Sequence, residues 1–228
     1  MTRYVLLITS LPHPGPLFGA RQTPLSRLRL EQHLQLLEAG DRQRLDRIES
    51  LLHWDRLPFD TTDAEILQQA RHLIPTLGDT RLQTIVEQRL ELRTLIAALR
   101  RRHRGEPAPP LDGHCNWGYG RWTGAIARYW QEPGFRLQGL YPWLPEAEKL
   151  LTDDDPLGLE RLLLAQVWRQ LDRAGEEHWF DFVAVVVYVL RWNLIDRWVR
   201  YSETVATQRF DALTEAGLDR FADLFSGY

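Results

Sequence analysis

The stretch from Trp179 to Leu213, WFDFVAVVVYVLRWNLIDRWVRYSETVATQRFDAL, constrains the fold more than any other part of the chain. It contains the longest apolar run and then changes character. From Phe182 to Leu190 nearly every residue is apolar, which suits a segment buried on most sides. After Arg191 the pattern turns amphipathic. Val187, Leu190, Leu194, Trp198, Tyr201 and Val205 recur at steps of three or four and so share one helical face. Asn193, Asp196, Arg197, Arg200, Thr204 and Gln208 fall on the other side, where Asp196 and Arg200 make an i,i+4 pair. The valine-rich start has strand propensity, so a buried strand from Val183 to Val189 is the alternative. A helix is preferred because no turn residue separates the run from the helix that follows. Trp198, on the apolar face with Leu194 and Tyr201, is expected to be buried.

The rest of the chain reads as capped amphipathic helices. Tyr4 to Leu11 is apolar, partly β-branched and bounded by prolines, which predicts a short extended segment against the core, a first helical turn being the other option. Thr23-Pro24 has the cap-then-proline form of a helix start. That helix would bury Leu25, Leu28, Leu34 and Leu37 and end at Gly40, with Asp41 capping the next, whose Leu45, Ile48, Leu51 and Leu52 line one side. Thr62 and Glu65 have capping-box spacing, for a helix running to Leu73 and stopping before Pro75. Asp79 to His103 reads as the longest surface helix, with Leu82, Ile85, Leu92, Leu95, Ile96 and Leu99 as its stripe.

Residues 106–120, EPAPPLDGHCNWGYG, have no helical period and form the clearest linker. Beyond it come a helix on Trp122, Ala125, Ile126, Tyr129 and Trp130, a short helix ending near Leu151, and one opened by Asp155-Pro156. That last helix turns Leu159, Leu163, Val167 and Leu171 inward and closes at Gly175. Leu218 to Phe225 would be a final short helix. Helical periodicity with no clear alternation predicts an all-α fold. Two helical lobes are expected, 1–105 and 121–228, joined by the linker at 106–120.

Among 228 residues, 28 are basic and 31 acidic, for a net charge of −3, so nothing global points to nucleic acid. The basic residues are almost all arginine, Lys149 being the only lysine. A single cysteine, Cys115, excludes an intramolecular disulfide and fits a reducing compartment. The opening apolar run lacks a cleavage site after it, and no stretch reaches the roughly 18 apolar residues of a membrane span. A cytoplasmic chain is expected.

Catalytic signatures are not found: no Gly-rich phosphate loop, no GxSxG, no dinucleotide fingerprint. His114-Cys115 is the one adjacent pair of soft metal ligands, without histidine spacing elsewhere to complete a site. Asp153-Asp154-Asp155 is accounted for by a helix start, with Asp155 as the cap. Glu176-Glu177-His178 lies in a turn with no nucleophile beside it. An enzyme is therefore not expected, nor a cofactor or metal. The better candidates are for interaction. Arg100, Arg101, Arg102 and Arg104 end a helix, where cations complement unpaired carbonyls. They could serve that end alone, meet the acidic face of a protein partner, or attract phosphates. Trp117, Tyr119 and Trp122, in or beside a Gly-rich loop, could form an interface or plug the junction between the lobes.

Two stretches together resemble one family. The start RYVLLITSLP looks like that of short bacterial proteins related to the C-subunit family of V-type ATPases, whose eukaryotic counterpart is the d-subunit. The helix ELRTLIAALRRRHRG is similar to theirs as well, with Glu91, Leu92, Arg93, Arg100, Arg102 and Gly105 in the family's acidic, apolar, basic and glycine places. The segment from Tyr188 to Leu213 also resembles their C-terminal helix. This chain is shorter than the three-module members of that family, which again points to two lobes. The resemblance implies a non-catalytic protein joining the rotor shaft to the proteolipid ring of a rotary ATPase, in proton or sodium transport. It would reach the inner membrane only through that complex, with no cofactor and no nucleic acid. The alternative is a stand-alone helical adaptor that binds a different protein, and a third reading is an enzyme using scattered carboxylates in a cleft between the lobes.

Overall fold

The computed structural model describes residues 2–52, 63–110, 117–176 and 178–201. Among them the regular structure is helical throughout, without a strand, so the fold is all-α. In chain order the helices are α1 (Thr2–Ser10), α2 (Arg27–Leu34), α3 (Ala39–Leu52), α4 (Asp63–Thr76), α5 (Thr80–His103), α6 (Thr123–Arg128), α7 (Leu144–Thr152), α8 (Pro156–Gly175) and α9 (182–201).

The organising element is α5. The predicted stripe is buried, Ile85 the most exposed of it at 7 %, but Val86, Leu90, Thr94 and Ala98 are buried as well. A helix apolar on that much of its circumference cannot lie at the surface. It packs against α3, α4, α6, α7 and α8, so the expectation of a surface helix is corrected to a central one. Asp79 caps it, its side chain accepting from the Arg81 amide at 2.8 Å. The cap of α8 is also as read: Asp155 accepts from the Gly158 amide at 2.8 Å, and Leu159, Leu163, Val167 and Leu171 are buried.

The first forty residues depart from expectation. Tyr4–Ser10 is not extended; it belongs to helix α1, which turns Leu7 inward, with Leu11 buried just past its end, while the Tyr4 phenol bonds Asp41. The following helix starts three residues after Pro24, capped by Ser26 rather than Thr23. Its buried side is Leu30 and Leu34, and Leu28 is 70 % exposed. Gly40 and Asp41 stand in the first turn of α3 instead of separating two helices. Pro75 lies inside α4, in its last turn. Thr62, His114, Cys115, Glu177 and everything after Tyr201 lie outside the described residues.

The anchor stretch is helical, and its two faces are both used. Val187, Leu190 and Leu194 are buried as predicted. Trp198 is only half-buried, edge-on to Phe18 with ring centroids 5.0 Å apart. Trp192 is the buried tryptophan, at 3 % exposure, and its indole N–H donates to the Leu25 carbonyl at 2.9 Å. The polar face meets protein as well. Asn193 donates to Glu49 at 2.9 Å, and Arg197 reaches Glu160 at 3.1 Å. Glu49, 2 % exposed, also receives a two-pronged contact from Arg27 at 2.8 and 2.9 Å. A buried carboxylate of this kind is held only when guanidinium and amide donors replace its water.

Buried residues from Leu7 to Val199 form one contiguous apolar cluster, drawing on helices before and after the 106–120 segment. No described helix is long and apolar enough to cross a membrane.

Candidate functional site

The arginines that end α5 are mostly spoken for within the chain. Arg102 donates to the carbonyls of Trp130 and Glu132 at 3.1 and 2.7 Å, pairs with Glu148 of α7, and lies 4.5 Å from the Phe135 ring. Arg101 and Arg104 both bond Glu106, at 2.8 and 2.6 Å. The two guanidiniums hold that carboxyl below its usual range, hydrogen bonding to Arg101 being the largest cause. Only Arg100 has no ion-pair partner among the described residues, and it is exposed. The cluster therefore acts chiefly as a clamp on the segments that follow α5.

The aromatic loop is laid directly on α5. The Tyr119 amide donates to the Thr94 hydroxyl at 2.7 Å, and Thr94 in turn donates to the Leu90 carbonyl. Glycines permit the approach. A Cβ at Gly118 would stand 2.5 Å from Thr94 Cγ2, and one at Gly120 would stand 2.6 Å from Glu91 Cγ. Gly120 also has φ +102°, in the region that favours glycine. This seating aims Tyr119 at Glu87, its hydroxyl 3.4 Å from the carboxylate. From the next irregular stretch Tyr141 donates to Glu91 at 3.0 Å. Both phenols are pushed up to about 12, by burial first and then by the carboxylate each one faces. Trp117, Tyr119 and Trp122 are half-buried and pack against the core, so the loop lies between a plug and an exposed patch.

What the loop shapes is a cleft of about 1070 Å³. One wall is α5, with Arg81, Glu87 and Glu91. Tyr119, Trp122, Tyr141 and Trp143 line a second side, and α8 supplies Gln166, Arg169 and Arg173. His178 closes one end, bonded to Arg81 and to Asp181. Of the predicted site residues the cleft gathers Tyr119 and Trp122; the arginine cluster and Trp117 do not line it. The Glu87/Glu91 and Arg169/Arg173 pairs were missed, although each has the i,i+4 spacing that puts two charges on one helical face. A second, smaller pocket of about 50 Å³ lies among α5, α8 and α9, lined by Arg89, Asn193 and Arg197. It has room for a few solvent molecules. There Arg89 is pushed down to about 10, by burial and by the neighbouring Arg197, with Glu160 opposing.

Among the described residues no group of three or more histidine, cysteine or acidic side chains is placed to hold a metal ion. The chain matches no family model, no curated protein and no solved structure.

Proposed function

We propose that this chain is a non-catalytic connector of a V-type rotary ATPase, akin to the C-subunit family, set between the central shaft and the proteolipid ring in proton or sodium transport. It meets the membrane only through that complex, at the cytoplasmic side.

The observation that carries the reading is the disposition of RYVLLITSLP, the segment with the most distinctive resemblance to that family. Its residues up to Ser10 lie in α1, pinned by Leu7, the neighbouring Leu11 and the Tyr4–Asp41 bond, while Val5 and Leu6 stand 40 % and 57 % exposed. A helix that is fixed to the body yet turns apolar side chains outward suits a surface hidden beneath another protein of the complex. The second resembling segment is α5, to which five other helices attach, so the likeness falls on the parts that define the body. Carboxylates and arginines across the helices are extensively paired to one another, which favours a firm scaffold over a mobile one. An adaptor acting through Arg100–Arg104 is less well supported, because three of those four arginines bond within the chain.

A tagged copy expressed in the native host should bring down shaft and proteolipid subunits from solubilised membranes. Val5→Asp with Leu6→Asp should lower that recovery while the protein still melts within a few degrees of wild type. Wild-type chain recovered in quantity with neither kind of subunit would overturn the proposal.

A further inference from the structure

The cleft gathers charges that have no ion-pair partner among the described residues. Elsewhere in the helices Glu31, Glu49, Glu148, Glu160, Asp172 and Asp196 each take an arginine. Glu87 and Glu91 take only tyrosine hydroxyls, and no ion pair to either occurs among the described residues. On the facing wall Arg169 donates to its own helix, to the Ala165 carbonyl at 3.4 Å, and neither it nor Arg173 meets a carboxylate among the described residues. Glu87 and Glu91 on α5 and Arg169 and Arg173 on α8 thus present opposite charges to the same cleft, whose lining also includes Arg81, bonded to His178, and Arg121, Glu146 and Glu176. Each pair is spaced four residues apart, roughly 6 Å along its helix axis.

We propose that this cleft is the docking site for a helix of a partner protein bearing basic residues on one face and acidic residues on the other. A helix repeats its side chains at the same four-residue interval as both walls, so one segment can satisfy Glu87 and Glu91 while its other face meets Arg169 and Arg173. The volume is at or above the upper end of small-molecule pockets, which suits a polypeptide segment better than a metabolite. Leu140, 58 % exposed on the rim, with Trp122 and Tyr141 beside the acidic wall, supplies the apolar contact that charged pairs alone do not. The charges set register and orientation, as complementary pairs at an interface do. Tyr119 and Tyr141 act as positioning residues that aim the two carboxylates. The inference takes from the connector reading only that the chain has a protein partner; a long helix of a rotor shaft is one surface of this kind.

The test uses the full chain and three alanine-based helical peptides of about 18 residues, roughly 27 Å long at 1.5 Å per residue. One carries lysines on one face and glutamates on the other, one only lysines, one only glutamates, and none contains an aromatic residue. Binding is read at low salt by tryptophan fluorescence, since Trp122 and Trp143 line the site, and by titration calorimetry. The mixed peptide should bind saturably and at least ten-fold tighter than either single-sign peptide. Glu87→Gln with Glu91→Gln should remove at least ten-fold of that affinity, and Asp153→Asn none of it. Preference for the all-lysine peptide, no saturable binding by any of the three, or unchanged binding by the double variant would overturn the proposal. The double variant also separates the two readings. ATPase subunits recovered with it as with wild type, alongside failed peptide binding, leave the connector without this cleft. Peptide binding without recovery of ATPase subunits leaves the cleft without the connector.

Discussion

Arg102 illustrates what a single residue does here and how little of that its neighbours in sequence reveal. Four arginines end α5, and all suit a helix C-terminus equally. Only Arg102 reaches two backbone carbonyls, a carboxylate and an aromatic ring at once. The segment it holds needs holding: Gly134, Phe135 and Arg136 all have positive φ, and Phe135 is wholly buried in that state. A bulky residue there costs on the order of 1–3 kcal/mol, which the surroundings must offset. Arg102→Ala should therefore lower stability by about 2–3 kcal/mol in urea melts, and Arg100→Ala by less than about 0.5 kcal/mol. Equal losses would mean that the clamp contributes nothing. Gly120→Ala, strained at φ +102° and crowded against Glu91, should cost roughly 1–3 kcal/mol and disturb the loop that carries Tyr119. The basic helix end was legible from spacing alone. The identity of the clamping arginine was not, because its partners return from 28 to 46 residues further along the chain.

At the level of elements, the capped helices were the readable ones. Asp79 and Asp155 precede α5 and α8 as local chemistry requires, and the buried stripes of both follow the 3.6-residue period. Where tertiary contacts outweigh local signals, the sequence misleads. The prolines after Leu11 and the β-branched residues in α1 suggested extended chain, yet Leu7 and the Tyr4–Asp41 bond settle it as helix. In α9 the apolar stripe singled out Trp198, but the neighbouring face is covered as well, by Glu49 and Glu160 from other helices. A polar residue facing a buried partner looks in sequence like one facing solvent. Trp192, near the junction of the two faces, is the better anchor. Trp192→Ala should cost about 3–5 kcal/mol, the range for a buried aromatic, and Trp198→Ala about half as much. Denaturant melts in which Trp198→Ala is the more damaging would show that the Phe18 contact, not the Leu25 bond, secures the helix.

Across the whole molecule, phenols and carboxylates are coupled in a way that makes stability depend on alkaline pH. Tyr4, Tyr119, Tyr141 and Tyr188 are each raised to about 12. Burial is the largest cause in every case, reinforced by Asp41, Glu87 and Glu91 for the first three. In the unfolded chain a tyrosine releases its proton near 10. Between about 10 and 12 the folded state therefore binds more protons than the unfolded state, and stability falls as pH rises through that window; below about 10 the contribution is complete. Arg89 works in the opposite direction. Held down at about 10 when folded, it releases its proton before the unfolded chain does, which favours the folded state as pH climbs. One such group stands against four, so the net slope is downward. Urea midpoints measured from about pH 9 to 11.5 should fall steadily above roughly pH 10. The fall should be shallower in Tyr119→Phe and Tyr141→Phe, which keep the ring and remove the proton, and steeper in Arg89→Met, which removes the opposing group. A midpoint flat across that range would mean that these phenols ionise as freely in the folded protein as in the unfolded chain, and the hydroxyl–carboxylate contacts on α5 would then be too weak to aim Glu87 and Glu91 into the cleft.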